Sequence, residues 1–371
     1  MWNSNEKRCI IETRITNQNI TVLDIRETLD AACNRELSEA FQSGIKKGHN
    51  ILLNLSDLLH IDTAGTGVLT VNASRADQKN LAVAAWGLKD PFRDVFRLTR
   101  LDEAIVLFET EKEALQHACS WKTIAHRSAA VSPPTQGILV PGWARSVEYL
   151  SVRDIPEAAM NINVNGRRTT GPVKGFGRFW DKRYRLHLKE IDIEPRQIIS
   201  LWSSEFPTFW PPGNCFYPSG RLPVSPGTEA VLNLALPGGL VLATGLMVIY
   251  ADDTSFSFIT IQGHILSGWI TFSSFRENST TIIQVNPIFR ASDPLMELGL
   301  RFGAAKQEDL FWHATLGNLA RRLGVHGEIS QEDILIDPRV RWREFANLWY
   351  SAAIRSTFYM PVYMLRRMLK L

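Results

Sequence analysis

Residues 51–70 read Ile51-Leu52-Leu53-Asn54-Leu55-Ser56-Asp57-Leu58-Leu59-His60-Ile61-Asp62-Thr63-Ala64-Gly65-Thr66-Gly67-Val68-Leu69-Thr70. The apolar run 51–55 predicts a strand that ends in a polar loop. A second short run carries Ile61. Val68, Leu69 and Val71 then repeat at helical spacing, so a helix opens on Asp62 and Thr63. A Thr beside a helix N-terminus, held near the surface by a strand, is well placed to receive a phosphate, because that end of a helix favours an anion. The structural alternative is that Thr63 merely caps the helix while Asp62 satisfies loop amides. A nucleotide loop built on Gly65-Thr66-Gly67 lacks its third glycine, Thr70 standing there, and no Lys-Ser/Thr pair follows.

Outward from this stretch, strands are expected over 9–16 and 19–25, joined by a turn at Asn17-Gln18. Asp30 can cap a helix whose apolar face uses Ala32, Leu37, Ala40, Phe41 and Ile45 and which stops at Gly48. A strand over 81–86, a helix opened by Pro91, a strand over 105–108 and a helix from Glu111 complete the order. Strands alternating with helices predict an α/β sheet with helices packed on it, over about residues 8–120.

That order resembles the STAS family (sulfate transporter and anti-sigma factor antagonist domain). The resemblance is carried by Leu29-Asp30-Ala31, by 61–69, by Leu98-Thr99-Arg100-Leu101-Asp102 and by Glu113-Ala114-Leu115. It implies a mixed sheet with helices and a role in binding proteins. It also implies that Thr63 is phosphorylated by a partner, an anti-sigma factor-like kinase, and that Asp62, Ala64, Gly65 and Thr66 form the partner-binding loop. Two residues depart from the family pattern. Glu27 replaces a usual Gly, and Ala64 replaces a frequent second Ser.

Residues 121–175 read as a linker and irregular connection, with Pro133-Pro134 and Pro141. Over 176–325 a strand (184–193) precedes a helix opened by Glu194-Pro195. Strands over 230–236, 241–250, 255–262, 265–275 and 280–289 follow, with short turns between them that imply antiparallel hairpins. The uncharged run 231–251 is long enough to suggest a membrane span, but Pro237-Gly238-Gly239 divides it into two strands. Pro294 then opens one long helix to about residue 323. The order resembles the START-like, or SRPBCC, superfamily, an α+β helix-grip plan in which an antiparallel sheet wraps a long C-terminal helix. The resemblance implies a cavity for a hydrophobic small molecule or lipid. The expected lining is Trp202, Phe206, Phe209, Trp210, Met247, Phe258, His264, Trp269, Phe272, Phe302 and Phe311, although aromatic residues at such positions also form ordinary cores. No catalytic set emerges: His187, His264 and His313 have no paired nucleophile or carboxylate motif, and no metal or cofactor motif is present.

Residues 326–371 carry Arg339, Arg341, Arg343, Arg355, Arg366, Arg367 and Lys370 among aromatic residues at helical spacing. Such a basic amphipathic tail can lie on an anionic membrane surface or cover an apolar patch of its own chain. A net charge of +3 gives no argument for a nucleic-acid partner. Cys9, Cys33, Cys119 and Cys215 lie far apart, which argues against a disulfide framework or structural zinc and for a reducing compartment. The polar residues 1–8 lack the apolar centre of a signal peptide, so a cytoplasmic, membrane-associable protein is expected. The sequence therefore reads as a regulatory protein joining a phospho-switchable protein-binding domain to a ligand-binding one. The alternatives are a cyclase-like enzyme on a hydrophobic substrate, regulated by the first domain, and a peripheral lipid-transport protein.

Overall fold

Two sheets organise the chain, in a computed structural model that describes residues 9–127, 140–189, 193–236 and 240–368. They lie in separate units, Met1–Pro141 and Gly142–Leu371. Residues 128–139 of the linker expected over 121–175, and the turn at Pro237-Gly238-Gly239, lie outside the described residues.

In the first unit, β1 (Cys9–Ile15) and β2 (Thr21–Leu29) form an antiparallel hairpin that places Cys9 opposite Glu27. Beyond β2 the sheet is parallel, continuing through β3 (Ile51–Asn54), β5 (Val83–Trp86) and β6 (Val106–Phe108). The short strand β4 (Leu58–Ile61) pairs with the far end of β2. Asp30 accepts a hydrogen bond from the Ala32 amide and starts a single 3-10 turn, after which α1 (Asn34–Lys46) buries Leu37, Phe41 and Ile45. The helix α2 (Thr63–Gln78) is buried along nearly its whole length. Its polar side chains turn back on the backbone, Thr70 Oγ1 donating to Thr66 O at 2.9 Å and Asn72 Nδ2 to Val68 O at 3.0 Å. The helices α3 (Asp90–Leu98) and α4 (Glu111–Gln116) follow in the expected order, whereas α5 (Trp121–Arg127) is a helix at the start of the expected linker.

Cys9 and Cys33 are joined by a disulfide, with Cα atoms 5.6 Å apart, which corrects the expectation of unpaired thiols. The hairpin register brings the start of β1 beside the turn that follows β2. A separation of 24 residues hides this juxtaposition in the sequence.

The second unit is built on one antiparallel sheet, ordered β15-β8-β14-β13-β12-β11-β10-β9. Its strands are β8 (Phe179–Lys189), β9 (Cys215–Pro218), β10 (Glu229–Ala235), β11 (Val241–Ala251), β12 (Ser255–Ile261), β13 (Leu266–Glu277), β14 (Thr280–Ala291) and β15 (Glu328–Asp337). A two-residue strand β7 (Thr169–Thr170) pairs with β12. The uncharged run 231–251 is the β10–β11 hairpin, Val231 pairing with Gly245. No helix among the described residues is long and apolar enough to cross a membrane.

Three expectations change here. Residues 142–175 pack as part of this unit, and the Glu328–Asp337 stretch, read as the start of a tail, is the edge strand β15. Its charged, largely exposed side chains mask the period-two signal, as edge strands commonly do. The single long helix from Pro294 is two: α7 (Pro294–Gly299) and α8 (Ala305–Leu323). Phe302 and Gly303 leave the helical region between them, Gly303 at φ 118°.

One face of the sheet carries α6 (Pro195–Ser204), the Phe206–Phe209 turn and α8. The α6 start is the Glu194–Gln197 capping box, with Pro195 at its first position. The opposite face receives α9 (Ala352–Met368), whose Ser356 Oγ accepts from the Ala243 amide at 3.0 Å.

A charge cluster around the buried Lys182 ties α8 to the sheet. Lys182 Nζ lies 2.7 Å from Asp309 Oδ1, 3.3 Å from Glu308 Oε2 and 4.0 Å from Asp333 Oδ2, and Tyr184 OH donates to Asp309 Oδ1 at 2.6 Å. Burial pushes the Glu308 carboxyl up to about 7, against the opposing pull of Lys182. A carboxyl raised in the folded state stabilises while protonated and loses that contribution as pH rises through its folded value. Stability should therefore fall between the ordinary Glu range and neutral pH, by at most about 1.4 kcal/mol per pH unit from this one group. Glu308→Gln should flatten that slope, as read from urea midpoints across pH.

Candidate partner-binding site

The Asp62 loop is shaped by the strand before it. β4 pairs with β2 through Ile61 and Leu29, and the Asp62 amide donates to Leu29 O at 3.2 Å. Asp62 has extended backbone and its Oδ1 accepts from the Gly65 amide at 2.8 Å, a helix N-cap. Gly65 is required by contact. A Cβ there would lie 2.0 Å from Leu29 O, so only glycine lets α2 sit this close to β2. Thr66 Oγ1 donates to Thr63 O at 2.9 Å and closes the first turn.

Thr63 is 2% exposed, which overturns the expectation of a hydroxyl standing at the surface. A side chain at the first helical position leans back over the preceding turn. Here the helix start packs against the end of β2 at Leu29, and α2 as a whole also meets the 31–33 and 101–103 turns. Asp62 and Ala64 are half-buried, and Gly65 and Thr66 are buried. The accessible rim beside the loop is instead Asp57 and Leu59, which sequence reasoning missed because a lone exposed leucine in an apolar run looks like core.

Glu27 occupies the left-handed region at φ 65°, at a slip in register between β2 and β4, and its amide donates to Asp57 O at 3.0 Å. A side chain costs energy there that glycine avoids. Glu27→Gly should raise stability by about 1 kcal/mol, measured by urea unfolding.

The residues expected to line a cavity divide. Trp202, Phe206, Phe209, Trp210, Phe258 and Phe272 share one cluster with Phe311 packed against it. Their rings meet one another: Phe206 lies 5.1 Å from both Phe258 and Phe272, and Trp210 lies 5.2 Å from Phe311. At these centroid separations the rings pack together as core. Met247 and Trp269 are excluded from that face. They alternate with its members along β11 and β13, and both are in register with Ile259, which places them on the opposite side. Phe302 is 82% exposed at the helix break. His264 is buried in a turn, its Nδ1 accepting from the Leu266 amide at 2.9 Å, and desolvation pulls its pKa down to about 4, so the ring is neutral. A surface depression of about 600 Å³ lies instead over α6, lined by Arg196, Gln197, Ser200, Leu201, Ser204 and Asp253. Among the described residues no group of three or more His, Cys, Asp or Glu side chains could hold a metal.

Residues 12–114 match the STAS domain family. Among solved structures, the anti-sigma factor antagonist SpoIIAA in its unphosphorylated form is 16% identical, over 29% of this chain and 96% of its own, with a TM-score of 0.26. An anti-sigma factor antagonist from Mycobacterium paratuberculosis is 16% identical over 32% of this chain and 99% of its own, with a TM-score of 0.28. The di-domain ARO/CYC StfQ of the steffimycin biosynthetic pathway is 11% identical over 40% of this chain and 53% of its own, with a TM-score of 0.32. No curated protein matches the chain.

Proposed function

We propose that this chain is a regulatory protein whose first unit docks a protein partner, of the anti-sigma factor kinase type, at the rim of the Asp62 loop. The observation that carries the reading is the Asp62-capped start of α2, seated on β2 by Gly65, within the stretch that matches the STAS family. Asp57 and Leu59 give that rim an exposed acid and an exposed apolar contact.

Burial of Thr63 changes how a phosphate there would work. A kinase reaches the hydroxyl only when the first turn of α2 opens. A phosphate adds about −1.5 to −2 charge, which a nearly fully buried position cannot solvate, so the modified turn stays open and the docking rim is lost. The test is phosphosite mapping after incubating the full chain with ATP and a co-purifying protein kinase. Modification at Thr63, and none in Thr63→Val, supports the reading; modification confined to other residues contradicts it.

For the second unit the proposed role is binding a hydrophobic small molecule or lipid between sheet and helices, in a helix-grip manner. The aromatic layer around Phe206, apolar and lying between the sheet and its helices, is where such a ligand would sit. Because these rings touch, a ligand enters by displacing them, and native mass spectrometry of the purified chain should show bound apolar mass. A chain of bare mass throughout would leave the layer as core.

A further inference from the structure

We infer that residues 339–365 form a docking surface for an anionic lipid bilayer. The 3-10 segment Trp342–Tyr350 and α9 follow each other directly, and each leaves apolar side chains in solvent. Trp349 is 84% exposed and Phe358 82%. Trp342 and Phe345, also exposed, stack on each other at 6.3 Å. On α9 the buried side chains are Ala352, Ser356 and Met360, one stripe at four-residue spacing. Phe358, Val362 and Leu365 form a second, exposed stripe. The tail thus covers its own sheet with one face and presents an apolar face outward, combining the two roles that amphipathic sequence left as alternatives.

Charge selects the occupant. Residues 338–371 carry seven basic side chains and the single acid Glu344, a charge of +6, so a chain of net +3 holds −3 elsewhere. Arg339 and Arg343 keep nearly half of their side chains exposed although they meet Asp337 and Glu344. Arg355 is exposed and lies close enough to Arg167, which stacks on Tyr350, to repel it. The side chains of Arg366, Arg367 and Lys370 lie outside the described residues. A second copy would bring like charge against like. Separately projecting Trp and Phe rings flanked by guanidinium groups suit the interfacial zone of a membrane, and phosphate headgroups supply the opposite charge.

The surface belongs to a different unit from the Asp62 loop, and the inference stands whether or not that loop docks a partner. The test is co-sedimentation of the full chain with phosphatidylcholine vesicles and with vesicles containing about a quarter phosphatidylglycerol. Binding should appear with the anionic vesicles and fall at least tenfold at about 0.5 M salt. Trp349→Ser with Phe358→Ser, and separately Arg343→Glu with Arg355→Glu, should each lower it about tenfold or more. Both pairs replace exposed side chains, so an unchanged melting temperature keeps the result interpretable. No binding to anionic vesicles, or binding that neither pair alters, overturns the inference. So does a dimer in size-exclusion chromatography that the Trp349→Ser, Phe358→Ser pair dissociates, since another copy would then be the occupant.

Discussion

Asp337→Ala should destabilise the second unit by about 3–5 kcal/mol. Arg290 and Asp337 form an ion pair with side chains 1% and 0% exposed, Nη2 to Oδ2 at 2.6 Å. The same guanidinium donates to Gly177 O at 2.7 Å and Arg339 O at 3.0 Å, and lies over the Phe179 ring at 5.1 Å. The pair therefore joins β14, β15 and the chain entering β8. Burial works against the Asp337 charge, yet hydrogen bonds from Arg339 and Arg290 hold its carboxyl below the usual range. Such a depressed carboxyl stabilises above its unfolded value and loses that contribution as pH falls through the folded one. Removing Asp337 alone leaves a buried guanidinium without its counter-ion. Replacing both members, Arg290→Met with Asp337→Leu, should recover most of the loss, because the desolvation cost disappears with the charges. Urea unfolding followed by tryptophan fluorescence measures both, since eight of the eleven tryptophans lie in this unit. A double variant as damaged as the single one would show that packing, not charge, sets the cost.

The second large effect is expected at Gly65. A methyl group there meets the Leu29 carbonyl, a backbone group fixed by the sheet, so α2 must lift from β2. The Asp62 amide bond to Leu29 O and the Leu29–Ile61 pairing move with it. Gly65→Ala should cost about 3 kcal/mol. Ala64→Ser, at the half-buried neighbouring position, should change stability by only about 0.5 kcal/mol either way. Circular dichroism melts of the two variants measure the contrast. Equal melting temperatures would mean that the close approach of helix and strand does not hold the loop.

The first unit was legible because its signals are local. Apolar runs of four or five residues became β3 and β5, Asp30 and Asp62 became caps, and helical spacing marked α1. Glu27 was legible as an oddity, and its left-handed backbone explains why glycine suits the position. The β10–β11 hairpin was legible because Pro and Gly interrupt an apolar run at a turn's length.

What escaped depends on tertiary contact. Thr63 looks exposed in a polar loop, yet it is buried where α2 packs on the end of β2 and meets turns distant in sequence. The disulfide follows from hairpin register. The START-like resemblance implies Met247 and Trp269 in a cavity lining, whereas strand alternation sends them to the opposite face. The Lys182 cluster joins two strands and a helix whose charges look like ordinary surface residues one at a time.

The most direct test of the proposed docking is the affinity of the full chain for an anti-sigma factor-type kinase, measured with wild type, Thr63→Val and Thr63→Glu. The account predicts that Thr63→Val keeps the wild-type affinity and that Thr63→Glu, by placing a charge where it cannot be solvated, weakens it at least tenfold. Equal affinity for all three chains would contradict it.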